Sequence, residues 1–323
     1  MEIKVRFNRP KTTDPAPAFN MVADSKNPPH RGFSVFKATE NNLQLATLDQ
    51  TDKVREVLLE LDALIGLRMV KKLIKEIQAY VEIQKRRCKE KLVAEPLVLH
   101  MVFRGNPGTG KTTVARIVGK LLKEMGFLQK GHITEVERAD LVGEYIGHTA
   151  QKTREQAKRA LGGVLFIDEA YSLARGGEKD FGKEAIDVLV KCMEDHKDNL
   201  ILVLAGYKDE MDWFLQTNPG LRSRFPIHID FPDYSIEELM QIADLMLTKR
   251  QYKLTLDARL ELRRLLTDQI MHGHQHSGNA RLVRNMIERA IRRQAVRLFR
   301  QVEFSREELL TILPIDFIDS DNV

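Results

Sequence analysis

The segment Gly105-Asn106-Pro107-Gly108-Thr109-Gly110-Lys111-Thr112 has the residue types and spacing of a phosphate-holding loop. Glycines let main-chain N–H groups converge on phosphate oxygens, and a following helix adds the partial positive charge of its N-terminus. In such a loop Lys111 reaches the β- and γ-phosphates, and the Thr112 hydroxyl ligates Mg²⁺. Asn106, Pro107, Gly108, Thr109, Gly110 and Thr113 complete the expected nucleotide-binding set. Downstream, Val164-Leu165-Phe166-Ile167-Asp168-Glu169 reads as a buried strand ending in two adjacent carboxylates. Neighbouring strand residues point to opposite sides, so the two acids can take different tasks. Asp168 would assist Mg²⁺, and Glu169 would orient and polarise an attacking water. This pairing implies hydrolysis of the nucleotide rather than its storage.

Two further groups of cations carry chemical meaning beside such a loop. Arg222 and Arg224 lie in Leu221-Arg222-Ser223-Arg224-Phe225, just before an alternating apolar strand. A guanidinium near a γ-phosphate stabilises charge in the transition state, and a neighbouring subunit can supply it. Arg281, in Gly278-Asn279-Ala280-Arg281, opens a long helix and can touch the same phosphate, reporting nucleotide state to the segment beyond it. The alternate histidines His272, His274 and His276 read as a solvated connection, because no fourth metal ligand is near them. The arginine-rich run from Arg281 to Arg306 reads first as a helix meeting solvent and an adjacent subunit. A nucleic-acid surface is the second reading.

These residues need a frame to hold them. Short apolar runs over 98–103, 164–167 and 200–204, a further short segment over 133–136 and the alternating run 227–231 are separated by helical patterns over 112–125 and 149–160 and another around Ile186. Strands set as continuous apolar runs between helices argue a parallel sheet covered on both faces. After Pro232 the pattern becomes helical throughout, opened by the capping-box pair Ser235 and Glu238. The expected domains are a Pro-containing extension over 1–50, an α/β domain over 51–232, a small all-helical lid over 233–315 and a tail over 316–323. Within the first α/β residues, helices are expected from Lys53 and again up to about Lys91, the second with a strongly basic face.

With 43% hydrophobic and 30% charged residues in 323, the composition excludes wholesale disorder, and only two cysteines exclude a disulfide scaffold. No apolar run approaches the roughly 18 residues of a membrane span, and the expectation is a cytoplasmic protein with reduced thiols. The net charge of +5 permits an anionic partner without demanding one.

The order of phosphate loop, Asp168-Glu169, Leu221-Arg222-Ser223-Arg224-Phe225 and Gly278-Asn279-Ala280-Arg281, from Leu61 to about Arg300, resembles an AAA+ ATPase. More narrowly, 141–149, 165–171 and Leu204-Ala205-Gly206-Tyr207 resemble the CbbX/CfxQ group, which includes activases of red-type Rubisco and a sporulation protein. The extended N-terminus and overall size are nearer to the sporulation branch. The resemblance implies ATP and Mg²⁺ as cofactors, hydrolysis to ADP and phosphate, a homo-oligomeric ring of six and an unidentified protein client. Nucleic acid is not expected as a partner, although a loader or motor acting on it is the alternative from another class.

The resemblance also implies roles for residues. Arg224 becomes the arginine finger ahead of Arg222, and Arg281 the second sensor. Ile65 and Gly66 would pack near adenine, and Tyr145-Ile146-Gly147 would form a pore loop that grips polypeptide through apolar contact. One departure stands out: where relatives place Asn, Ser or Thr as first sensor, this chain has Ala205-Gly206-Tyr207-Lys208.

Overall fold

A computed structural model describes residues 40–93, 98–145, 147–176, 180–272, 278–301 and 303–318. The chain forms two units, Met1–Leu43 and Gln44–Val323, and of the first only the helical start Glu40–Leu43 is described. The expectations for Ile146, His274 and His276 and for most of the N-terminal extension therefore lie outside the described residues.

The chain enters through helices α1 (Glu40–Asp62) and α2 (Arg68–Lys89). Helix α1 begins thirteen residues before the expected start at Lys53, inside the stretch assigned to the extension. The segment between Pro29 and Lys53 lacks proline, so nothing there forbids helix. Helix α2 buries Val70, Ile74, Ile77 and Val81 along one side, the 3.6-residue stripe that an amphipathic helix needs. Its basic face is largely solvated, with Lys75 on Asp62 and Arg86 on Glu82.

The α/β core follows with β1 (Met101–Gly105), α3 (Lys111–Glu124), β2 (Ile133–Val136), α4 (Arg138–Leu141), α5 (His148–Arg159) and β3 (Val164–Ile167). A 3-10 turn over Ala170–Ala174 leads to α6 (Gly182–Asp195), β4 (Ile201–Gly206), α7 (Lys208–Thr217), α8 (Pro219–Arg222) and β5 (Ile227–Phe231). The five strands are parallel in the order β2-β3-β4-β1-β5. Alternation along β1 divides the core: Met101 and Phe103 pack with α2 and α3, whereas Val102 packs on the other face with α5, α6 and α7. Strands β3 and β4 are buried at every position, which accounts for their unbroken apolar sequence.

The lid comprises α9 (Ile236–Lys249), β6 (Lys253–Leu254), α10 (Leu256–His272), α11 (Asn279–Phe299), α12 (Arg306–Leu310) and β7 (Thr311–Ile312). The expected capping box is present: the Ser235 hydroxyl accepts from the Glu238 amide at 3.2 Å and Glu238 accepts from the Ser235 amide at 2.9 Å. Leu239, Ala243, Leu262, Leu266, Val283 and Ile287 form a core of its own.

The lid is helical as expected, with one short addition: β6 and β7 pair in parallel over two residues each, too short to carry a periodicity. Packing extends to residues 316 and 317. Asp316 is buried and meets Arg297 of α11 through two contacts of 3.0 Å, and Phe317 joins the lid core. Among the described residues no helix is long and apolar enough to cross a membrane.

Candidate active site

Because all five strands run parallel, their carboxyl ends share one edge, where α/β proteins build sites from loops. The order β3-β4-β1 places the loops after those three strands side by side. They enclose a cleft of about 600 Å³. Gly108, Gly110, Lys111, Thr112, Asp168 and Glu169 line it, and Arg281 and Arg284 reach it from the lid. Gly105, Pro107 and Thr113 complete the loop's share of the lining.

Lys111 Nζ donates to the carbonyls of Gly105 and Asn106, each at 2.8 Å. Burial holds its pKa below the ordinary lysine value; Asp168 works against that shift and Arg281 adds to it. An ammonium held on neutral carbonyls can exchange them for charged phosphate oxygens, which are stronger acceptors. Thr109 is buried and its hydroxyl donates to the Asn106 carbonyl at 2.8 Å. The Asn106 amide donates to Asp233 at 2.9 and 3.0 Å. The side chains of Asn106 and Thr109 thus shape the loop instead of facing the cleft.

Asp168 and Glu169 follow the end of β3, and both line the cleft. Asp168 accepts the Glu169 amide at 3.0 Å. Glu169 itself adopts φ 47°, a left-handed conformation costly for a residue with a side chain and found most often at functional sites. Next to it Tyr171 is buried beneath Gly206, where a Cβ would collide with its ring. Burial and the Glu169 charge both push the Tyr171 pKa up. The guanidinium of Arg175 stacks 4.4 Å from the ring centre. Gly206 and Tyr207, which occupy the expected first-sensor position, line the cleft between the two carboxylates and the phosphate loop.

An apolar recess adjoins Gly108, Gly110 and Thr113 and is lined by Ile65, Leu67, Tyr234, Ile242 and Met246. Ile65 thus lies where a flat heterocycle could stack. Gly66 turns the chain at φ 65° against Glu238, with no room for a side chain. The Tyr234 hydroxyl donates to the Thr109 carbonyl at 3.1 Å, and burial with the nearby Glu238 pushes its pKa up to about 12.

The remaining expected residues lie elsewhere. Arg224 pairs with Glu194 of α6 and donates to the Gly220 carbonyl at 2.9 Å, while Arg222 is exposed. Neither lines the cleft. Tyr145 is 66% exposed, its ring edge-on to His148 at 5.5 Å. Gly147 takes φ 82° immediately before α5, and the buried Thr149 hydroxyl accepts the Gly143 amide at 2.9 Å, pinning the base of this loop. Of the arginine-rich run, Arg297 is accounted for by Asp316, and Arg281 and Arg284 by the cleft. Among the described residues no cluster of His, Cys, Asp or Glu is arranged to hold a metal by itself.

Sequence reasoning overlooks Asp233, Tyr234, Asn279 and Glu194. Asp233 carries a usable signal, since it ends the last parallel strand's apolar run at the edge where the site must form. A buried asparagine such as Asn279 has none.

This arrangement of parallel sheet, phosphate loop, paired acids and helical lid defines a P-loop ATPase of the AAA class. Residues 101–233 match the ATPase family associated with various cellular activities, and residues 235–322 match the AAA lid domain. Stage V sporulation protein K of Bacillus subtilis is 56% identical over 260 residues, covering 80% of this chain and 81% of the relative. Protein CbbX of Cereibacter sphaeroides is 52% identical over 247 residues, covering 76% and 79%. A Thermotoga maritima RuvB mutant superposes with a TM-score of 0.53 at 22% identity, over 80% of this chain and 69% of that one, a likeness of fold alone. The chain belongs to the CbbX/CfxQ family of AAA ATPases, and it hydrolyses ATP.

Proposed function

We propose that this ATPase assembles as a six-membered ring and remodels a protein client, with ATP cleaved at the junction between neighbouring protomers. The observation that carries the reading is the convergence of Lys111, Thr112, Asp168, Glu169 and Arg281 on one cleft. Loop amides around Gly108 and Gly110 and the Lys111 ammonium would bind the β- and γ-phosphates, and adenine would enter the recess beside Ile65. A hydroxyl and a carboxylate suit Mg²⁺, a hard cation that keeps several waters and binds partly through substrate phosphates. Thr112 and Asp168 would hold it, and it would supply neutralising charge.

Glu169 would orient the water and polarise it toward the γ-phosphorus, yielding ADP and phosphate. Arg281 would contact the γ-phosphate from the lid. Arg224 would leave Glu194 and complete the neighbouring protomer's site, since it does not line its own. Tyr145, exposed on a loop pinned at its base, supports a pore-loop role in pulling on polypeptide.

For the client, the 56% identity to a sporulation protein supports work in spore formation. Activation of Rubisco is the second reading, supported by 44% identity to the ribulose bisphosphate carboxylase/oxygenase activase of Cyanidioschyzon merolae. Affinity capture with the Glu169→Gln form in ATP tests the remodelling claim. A specific protein should remain trapped with that form and be lost when Tyr145→Ala is added. Equal capture with and without Tyr145 would rule out the pore-loop role.

A further inference from the structure

The last long helix of the lid starts on the phosphate loop itself. Ala280 donates its amide to the Gly108 carbonyl at 3.2 Å, and the Asn279 side-chain amide lies 3.4 Å from the Pro107 carbonyl. Gly108 has no space for a Cβ because the Gly278 carbonyl and Arg281 amide press against it. One carboxylate then joins three parts of the molecule. Asp233, between β5 and the lid, accepts from Asn106 of the loop at 2.9 and 3.0 Å and from Asn279 of α11 at 2.8 Å. Asn279 is 1% exposed, accepts the Tyr234 amide at 3.0 Å, and holds φ 45°, which asparagine tolerates better than most residues.

Asn106 is the node of this arrangement. Its carbonyl accepts from Lys111 Nζ and Thr109, while its side chain is held by Asp233. An anion that draws Lys111 off the Asn106 carbonyl therefore changes the hydrogen bonding of the residue to which the lid is tied.

We propose that Asp233 and Asn279 are positioning residues that lock α11 to the phosphate loop and thereby set Arg281 against the nucleotide. The proposal rests on the cleft being the ATP site. A neutral apolar pair could pack this junction; a carboxylate shared by two amides instead fixes direction, because each donor must face it.

The test uses three variants of the full chain: Asp233→Asn, Asn279→Asp, and both together. Asn279→Asp sets carboxylate against carboxylate, whereas Asp233→Asn keeps an amide oxygen that can still accept from Asn106 and Asn279. The double change restores a donor–acceptor pair with the chemistry exchanged. Asn279→Asp should raise KM for ATP about tenfold, equivalent to about 1.4 kcal/mol, Asp233→Asn should change it less, and the double should return it to near the wild-type value. Because the lock acts through Arg281, Asn279→Asp should add nothing to KM in an Arg281→Ala background.

Asn279→Asp with wild-type KM, a folded double as weak as Asn279→Asp, or losses that add to Arg281→Ala would each overturn the lock. If one single variant fails to fold, the double still decides. A wild-type chain whose ATP affinity is unchanged by Lys111→Ala would instead overturn the reading of the cleft.

Discussion

Asp168 and Glu169 are one peptide apart and line the same cleft, and of the two only Glu169 takes a left-handed backbone. Their chemistry should differ. Glu169→Gln keeps size and hydrogen-bonding capacity but removes the charge that polarises water. It should bind ATP as tightly as wild type while hydrolysing it about 10²- to 10⁴-fold more slowly; nucleotide binding by fluorescence and phosphate release check the two halves separately. Wild-type turnover in this variant would remove Glu169 from the reaction. The two arginines of the Leu-Arg-Ser-Arg-Phe segment also differ in setting. Arg224 is oriented by Glu194 and the Gly220 carbonyl, whereas Arg222 projects into solvent. Steady-state turnover should fall about 10³-fold for Arg224→Ala and change little for Arg222→Ala; the reverse order would make Arg222 the finger.

At the level of elements, the site depends on strand ends being held in register. Arg104 closes β1 one residue before the loop turn, reaching Asp230 of β5 at 2.7 Å and Asp212 of α7 at 2.5 Å. At the other end of β1, His100 is buried and accepts the Leu202 amide at 3.1 Å through Nδ1, and burial lowers its pKa to about 4. The folded chain therefore resists protonating this ring. Its contribution to stability is complete above pH of about 6.5 and is lost as the pH falls toward 4, amounting to about 3 kcal/mol. Urea unfolding of wild type and His100→Gln should show a difference that shrinks in wild type's disfavour over that window; a pH-independent difference would contradict the assignment. In the lid, Arg297→Met strands the buried Asp316 and should cost about 3 kcal/mol or more, read as a lower unfolding midpoint.

The same elements mark how far the sequence reveals the structure. Strand β3 is legible to the residue because a strand buried at every position is a bounded apolar run, and β5 because a half-buried edge strand alternates. The phosphate loop and both acids are legible because their chemistry dictates their spacing. The early start of α1 and the β6–β7 pair are not legible, since neither carries an apolar period. The Asn106–Asp233–Asn279 junction is hidden for another reason: it joins residues 127 and 46 positions apart through polar groups that look like surface.

For the whole molecule, the proposed ring is the main consequence. The chain brings a loop, two acids and a lid arginine to one cleft, while Arg224 lies outside it. Ring closure by a head-to-tail interface would bring one protomer's Arg224 to the next protomer's γ-phosphate. Nucleotide should then promote assembly, and light scattering should report a hexamer with ATP for the slowly hydrolysing Glu169→Gln form. The sharpest measurement mixes two inactive chains, Glu169→Gln and Arg224→Ala, and follows phosphate release. If sites are shared, roughly a quarter of junctions in randomly mixed rings join an intact Glu169 to an intact Arg224, and activity should reappear on mixing. No recovery over either chain alone would contradict a site built across protomers.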